Sequence, residues 1–195
     1  MNTRNPVYVV LFMIILMVLI GLLLSIINFV TKPTLARNEE LLKNRIISRA
    51  FVMKPSDESA EQYRKLVTDS IRLEPNGTYL STDRTRVGFE FIANGFWDKI
   101  RGVIVLDSSL STIVNIQFLE QHETPGLGAR IEELEFTDQF KGLKIDKANT
   151  SRQLIQIGGT KIAGSNNRVD GITGATQTSL ALMIGLNNML SEKVK

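Results

Sequence analysis

The chain opens with a long apolar run. Residues Val7 to Val30 give 24 positions without a charged side chain. A helix of that length is about 36 Å long, enough to cross a bilayer hydrocarbon core of about 30 Å. A cleaved signal peptide would have a shorter apolar core, about 7–15 residues, before a small-residue cleavage site. The run therefore predicts a retained transmembrane helix at 7–30, which begins after Pro6 and ends before Pro33.

Helical spacing resumes after the apolar run. Between 34 and 53, apolar residues recur at the intervals of one helix face: Leu35, Leu41, Leu42, Ile46 and Ala50. A polar break follows at 54–62, and a second short helix is expected at about 58–72. We therefore predict four parts: a short tail at 1–6, the transmembrane helix, a connecting helical segment at 31–72 and a globular domain at 73–195.

Short alternating or apolar runs dominate the middle of the chain. They lie at 87–92, 102–106 and 112–119, and residues 107–111, Asp-Ser-Ser-Leu-Ser, have the composition of a turn between the last two. This spacing predicts a hairpin within an antiparallel sheet.

The C-terminal third returns to helical patterns. A short helix is expected at 134–142, a short strand at 154–157 and an amphipathic helix at 176–190. The apolar face of that last helix is predicted from its spacing to contain Leu180, Met183, Ile184, Leu186 and Leu190. Strands that are flanked by helices in this order predict an α+β fold.

Charge and composition narrow the function classes. The chain has 23 Lys and Arg against 20 Asp and Glu, and the basic residues are scattered among acids. That distribution argues against nucleic-acid binding. With no cysteine and a single histidine, His122, iron–sulfur ligation and an ordinary zinc site are excluded for this chain. Redox chemistry would therefore need an organic cofactor, and no metal site is expected.

A loop that enters the last helix is the first candidate site. Residues Asp170–Thr176 read Asp-Gly-Ile-Thr-Gly-Ala-Thr, and hydroxyls continue at 178 and 179. Free N–H groups at a helix start favour an anion, and small residues let a ligand approach the backbone. The segment is consistent with a phosphate site at the start of the helix. An ordinary helix cap with a tight turn would have a similar composition.

A second irregular segment lies about 50 residues earlier. Residues His122–Gly128 read His-Glu-Thr-Pro-Gly-Leu-Gly. Proline and two glycines favour an irregular backbone whose N–H groups can face a ligand. Alone, this segment would predict only a turn.

Together, the two segments resemble a known family. Asp-x-x-Ser/Thr-Gly-Ala-Thr and Glu-Thr-Pro-Gly-Leu-Gly, behind an N-terminal anchor and with Gly-Phe-Trp at 95–97, are similar to the FMN-binding subunits of two bacterial complexes. These are NqrC, from the sodium-pumping NADH:quinone oxidoreductase, and RnfG, from the RNF electron transport complex. The Gly-Phe-Trp segment and His122 favour the former, and the small size fits the latter.

The resemblance implies a covalent cofactor. The family's last motif threonine forms a phosphoester with FMN, and here that position is Thr176. A dedicated FAD:protein FMN transferase would make the bond. The remaining cofactor-binding positions implied are Asp170, Gly171, Ile172, Thr173, Gly174, Ala175, Glu123, Thr124, Gly126, Leu127, Gly128, Trp97 and Lys161.

Some of these positions have plain alternatives. Trp97 is expected either to stack on the flavin ring or to be a core tryptophan beside the first hairpin. Glu123 and Thr124 would bond to flavin edge groups, and Lys141 or Lys161 would neutralise phosphate or be simply solvated. Catalytic acid–base pairs and nucleophile–base arrangements are not evident in the sequence.

The resemblance also implies a role and a place. The chain would be an electron-transfer subunit of an ion-translocating oxidoreductase complex in the bacterial inner membrane, with other subunits and lipid as partners. The family places the C-terminal domain on the periplasmic side, whereas five basic residues after the apolar run, against Arg4 before it, favour the cytoplasm. A stand-alone flavoprotein sensor or regulator, and an assembly subunit without cofactor, remain alternatives.

Overall fold

The structure is a computed structural model and describes residues 6–147, 153–159 and 166–194. It divides into two compact units, one ending at Leu41 and the other running from Leu42 to Lys195.

The first helix, α1, spans Pro6–Ala50 and is 45 residues long. Its N-terminal part has a mean hydropathy of 3.3, and α1 is long and apolar enough to cross a membrane. The predicted exit before Pro33 is wrong, because Pro33 lies inside the helix. Proline removes only one helical donor, and the Thr31 hydroxyl donates to the Ile27 carbonyl at 2.8 Å in the preceding turn. The helix therefore continues past the proline.

The second helix, α2, spans Ala60–Ser70, close to the predicted range. Its start is explained by a side-chain cap. The Ser59 hydroxyl accepts a hydrogen bond from the Gln62 amide at 3.3 Å, and the Asp57 carboxylate accepts one from the Ser59 amide at 2.7 Å. These bonds satisfy donors that the first helical turn leaves free.

Five antiparallel strands form the main sheet. They are β1 (Ile71–Leu73), β2 (Thr78–Ser81), β3 (Arg86–Asn94), β4 (Lys99–Asp107) and β5 (Ile113–Glu120), and their spatial order follows the sequence. The predicted hairpin is β4–β5, with its turn after Asp107. The α+β class is confirmed.

The central strand β4 explains how both faces of the sheet are covered. Its side chains alternate between faces, as the strand period requires. Ile104 and Leu106 belong to a core shared with the C-terminal elements. Val103 and Val105 belong to a second core with Ile47 and other residues of the α1 end. A layer of helix therefore covers each face.

The C-terminal elements are shorter and more irregular than predicted. A 3-10 turn spans Gly128–Glu132, α3 spans Leu134–Thr137, and a second 3-10 turn spans Asp138–Phe140. Two short parallel strands follow, β6 (Gln156–Ile157) and β7 (Arg168–Val169). The predicted helix at 134–142 is therefore only partly α-helical, and β7 was not predicted because two residues carry no readable period.

The last helix, α4, spans Thr176–Lys193. Its predicted apolar face is wrong in part, because Leu180 and Ile184 are 43% and 50% exposed. The reason is a close approach at Gly185, where an added Cβ would lie 2.6 Å from the Cβ of Ala93 in β3. The helix therefore turns the Gly185 side to the sheet. Its buried side consists of Thr178, Ser179, Leu182, Gly185, Leu186, Asn187 and Leu190.

Candidate functional site

The loop before α4 is held by side chains outside it. The Asp170 amide donates to the Gln139 side-chain oxygen at 2.8 Å, and the Ile172 amide donates to the Ser179 hydroxyl at 3.1 Å. The Ala175 amide closes a turn onto the Ile172 carbonyl at 3.0 Å. These bonds fix the backbone and leave the side chains of Asp170 and Thr173 exposed.

Thr176 is the first residue of α4 and is exposed. The preceding residue, Ala175, occupies the N-cap position and makes no side-chain cap bond. A helix start leaves its first N–H groups without intrahelical acceptors. The hydroxyl of Thr176 therefore lies beside backbone donors that suit a phosphate.

A cavity of about 650 Å³ opens beside Thr176. Its other walls include Gly158, Gly171 and Met183. The backbones of Gly158 and Gly171 are so close that a Cβ on Gly171 would lie 3.1 Å from the Cα of Gly158. Glycine at 171 therefore keeps this wall thin, and the space has the size of ligand pockets, about 300–1,000 Å³.

The second motif forms a tight turn. The Thr124 carbonyl accepts hydrogen bonds from the Leu127 and Ala129 amides, both at 3.1 Å. Gly126 has a φ of +75°, a conformation that glycine adopts without strain. The turn leaves the Leu127 side chain exposed.

The two motifs meet at two points. Gly174 has a φ of +80°, and a Cβ added there would lie 3.1 Å from Leu127 Cδ2. The Thr178 hydroxyl donates to Glu123 Oε2. Segments about 50 residues apart in sequence thus form one site around the start of α4.

Glu123 points into the protein. It is 5% exposed, and its Oε1 accepts hydrogen bonds from the Phe96 amide at 2.8 Å and the Trp97 amide at 3.1 Å. With Thr178 on Oε2, both carboxylate oxygens have protein donors. Direct contact of Glu123 with a flavin edge therefore stays a prediction.

The interpretation of Trp97 as a core residue is wrong, because its side chain is 67% exposed. Its Nε1 donates to the Thr124 hydroxyl at 3.0 Å, and its ring makes an edge contact with Phe96, with centroids 5.2 Å apart. His122 is exposed and lies 3.7 Å from the Asp98 carboxylate.

The structure also adds residues to the predicted set and leaves one out. Gln139, Thr178 and Ser179 support the motifs through buried or half-buried bonds; the hydroxyls at 178 and 179 were expected to face a phosphate. Lys141 pairs with Asp138 at 2.6 Å, and Lys161 lies outside the described residues. Among the residues that the structure describes, His, Asp and Glu form no group of three suited to a metal.

Comparisons with known proteins agree with this geometry. The model of a family described as FMN-binding domain matches residues 95–191. The C-type subunit of the Na(+)-translocating NADH-quinone reductase of Vibrio vulnificus is 28% identical over 132 residues, 68% of this chain and 50% of the relative. Its counterpart from Haemophilus ducreyi is 35% identical over 95 residues, 49% of this chain and 37% of the relative. The chain thus spans about half the length, or less, of these curated relatives.

Solved structures share the fold. The crystal structure of the corresponding Na(+)-translocating NADH-quinone reductase subunit from Parabacteroides distasonis matches with a TM-score of 0.71 and 25% identity, over 84% of this chain and 95% of that one. Shewanella oneidensis NqrC matches with a TM-score of 0.62 over 80% and 99% of the two chains; at 15% identity it supports the fold alone. The chain belongs to the NqrC/RnfG family of FMN-binding subunits.

Proposed function

We propose that the chain is a membrane-anchored electron-transfer subunit that carries FMN as a phosphoester on Thr176. The observation that carries the proposal is the exposed Thr176 hydroxyl at the start of α4, where Leu127 of the second motif meets Gly174. An attachment oxygen, free backbone donors and a second cofactor-type loop thus occupy one place.

The attachment step uses a transferase and FAD. The Thr176 oxygen bonds to the phosphorus of the FMN half, the bond between the two phosphates of FAD breaks, and AMP leaves. The hydroxyl proton passes to a base of the transferase or to water. Asp170 and Thr173 project from the same fixed loop and are available for recognition by that enzyme.

The residues present fit FMN. First-turn N–H groups of α4 suit the phosphate, and Gly174 leaves room that a Cβ would fill against Leu127. Trp97, Thr124 and Leu127 present one aromatic, one hydroxyl and one aliphatic group for the ring system. Ile172 and Ala175 are buried and shape the loop backbone, and Lys161 stays a proposed counter-charge. Bound FMN supplies one- and two-electron transfer, and the protein sets its position and surroundings.

The partners follow from the relatives. We infer assembly with the other subunits of a sodium-translocating NADH:quinone oxidoreductase, because the relatives and the Parabacteroides distasonis structure belong to that complex by name. This favours NqrC over RnfG as the closer functional counterpart. The anchor α1 would keep the flavin domain near its redox partners, which raises their effective concentration. We place the domain on the periplasmic side of the inner membrane.

Flavin fluorescence of the denatured chain tests the attachment. The full chain is co-expressed with an FMN transferase and separated on a denaturing gel. A fluorescent band is expected, and it should be lost in Thr176→Ala but kept in Thr176→Ser, which retains the hydroxyl. Thr173→Ala is the control for a neighbouring exposed hydroxyl. A band that survives Thr176→Ala would move the attachment elsewhere.

A further inference from the structure

A buried carboxylate stands at the junction of three segments. Glu123 receives the Phe96 and Trp97 amides on one oxygen and the Thr178 hydroxyl on the other. Its own amide donates to the Gln121 side chain at 2.8 Å. A carboxylate only accepts hydrogen bonds, and burying it is tolerated when such donors surround it.

Two glycines make the space for this carboxylate. A Cβ on Gly95 would lie 2.5 Å from Glu123 Oε1, and a Cβ on Gly128 would lie 2.8 Å from Glu123 Oε2 and 2.6 Å from Thr178 Oγ1. Both glycines belong to the segments singled out in the sequence. They allow the Glu123 carboxylate to reach two separate loops at once.

The side chain that this arrangement holds is an exposed aromatic. Trp97 has its amide fixed by Glu123 and its indole N–H fixed by Thr124, while the ring stays 67% exposed. Burial does not explain why the ring is held from two sides. Thr178, at the other end of the carboxylate, lies two residues after Thr176 in the first turn of α4.

We propose that Glu123 is a positioning residue that holds Trp97 in a fixed place relative to the start of α4. Its two oxygens connect the Phe96–Trp97 backbone to Thr178, so the aromatic ring and the Thr176 hydroxyl move as one unit. The consequence for the flavin rests on the proposed function. A tethered flavin would meet a pre-set aromatic surface, which removes the entropy cost of ordering that surface on docking.

The single tryptophan of the chain makes the link measurable without flavin. In the full chain with Thr176→Ala, Trp97 fluorescence anisotropy and quenching by acrylamide report how firmly the ring is held. Glu123→Ala should lower the anisotropy and increase quenching, and Thr178→Val should do so to a smaller extent. Thr178→Ser keeps the hydroxyl and should match the parent, as should Glu132→Ala, which removes an exposed carboxylate.

Folding is checked by far-ultraviolet circular dichroism. Folded Glu123→Ala with unchanged Trp97 signals would overturn the inference. If Glu123→Ala does not fold, the Thr178→Val and Thr178→Ser pair decides, and equal Trp97 signals in those two variants would overturn it. In flavin-loaded chains, visible circular dichroism of the flavin should change in Thr178→Val and not in Thr178→Ser.

The two proposals fail in different ways. A wild-type chain that never acquires FMN refutes the proposed function and leaves the Trp97 measurements unaffected. Normal FMN loading together with Trp97 signals that ignore Glu123 and Thr178 refutes only the positioning role.

Discussion

Gly174 combines a left-handed backbone with a close neighbour. Its φ is +80°, and a Cβ would lie 3.1 Å from Leu127. Gly77 is a matched control, since its φ is +78° and nothing lies within 4 Å of an added Cβ. Gly77→Ala should cost only the conformational penalty, about 1 kcal/mol. Gly174→Ala should cost more and also reduce flavin loading, because Leu127 must shift.

Urea unfolding and flavin content per chain measure the two effects. Equal loading of FMN in Gly174→Ala and Gly77→Ala would show that the contact between the two motifs is unimportant for the site.

At this scale the sequence predicts identities better than directions. Thr176 and the residues before it were found from a motif, and the structure places them at a helix start as expected. The inward direction of Glu123 and the exposure of Trp97 could not be predicted, because each depends on contacts about 26 residues apart or more. Sequence spacing contains no information about such contacts.

The β4–β5 turn is held by one carboxylate. Asp107 accepts hydrogen bonds from the Ser109 hydroxyl at 2.7 Å and from the Ser111 and Thr112 amides at 2.8 and 3.0 Å. Partial burial works against the charged form, but these hydrogen bonds outweigh it and lower the pKa of Asp107 from 3.8 to about 2. The charged turn therefore stabilises the fold above the ordinary pKa of an aspartate.

Asp107→Asn should lower stability by roughly 1 kcal/mol near neutral pH, once solvent screening is allowed for. Because the folded pKa of Asp107 is lowered, the difference from wild type should be constant well above the ordinary pKa. It should then shrink as pH falls from 3.8 towards about 2. Urea unfolding across this range measures it, and Glu132→Gln is an exposed-acid control. A difference that does not change with acidification would contradict the assignment.

Element types were predicted more reliably than element faces. The strands β3, β4 and β5 follow from alternating runs, and α4 follows from helical spacing. The buried face of α4 does not, because Gly185 against Ala93 decides which side approaches the sheet. Hydrophobicity alone placed Leu180 and Ile184 inside. They instead line an open groove with Ile92 and Phe96.

At the scale of the whole molecule, charge and family disagree about the side of the membrane. The absence of cysteine allows single introduced cysteines to be read without background. With a membrane-impermeant maleimide on spheroplasts, Glu132→Cys should be labelled, and Asn2→Cys should be labelled only after lysis. Asn2→Cys labelled before lysis, with Glu132→Cys protected, would place the domain in the cytoplasm.

The anchor has its own test. The helix α1 is apolar over a length sufficient to cross a bilayer. The full chain should therefore stay in the membrane pellet after alkaline carbonate washing, and a chain that begins at Leu42, the start of the second compact unit, should be released. Release of the full chain by carbonate would contradict a spanning anchor.

Intact mass spectrometry of the full chain, produced with an FMN transferase, tests the central claim most directly. The expected mass is that of the polypeptide plus FMN less one water, and fragmentation should place the addition on Thr176. Thr176→Ser should gain the same addition, and Thr176→Ala should have the bare polypeptide mass. A bare mass for the wild-type chain, or an addition on another residue, would contradict the account.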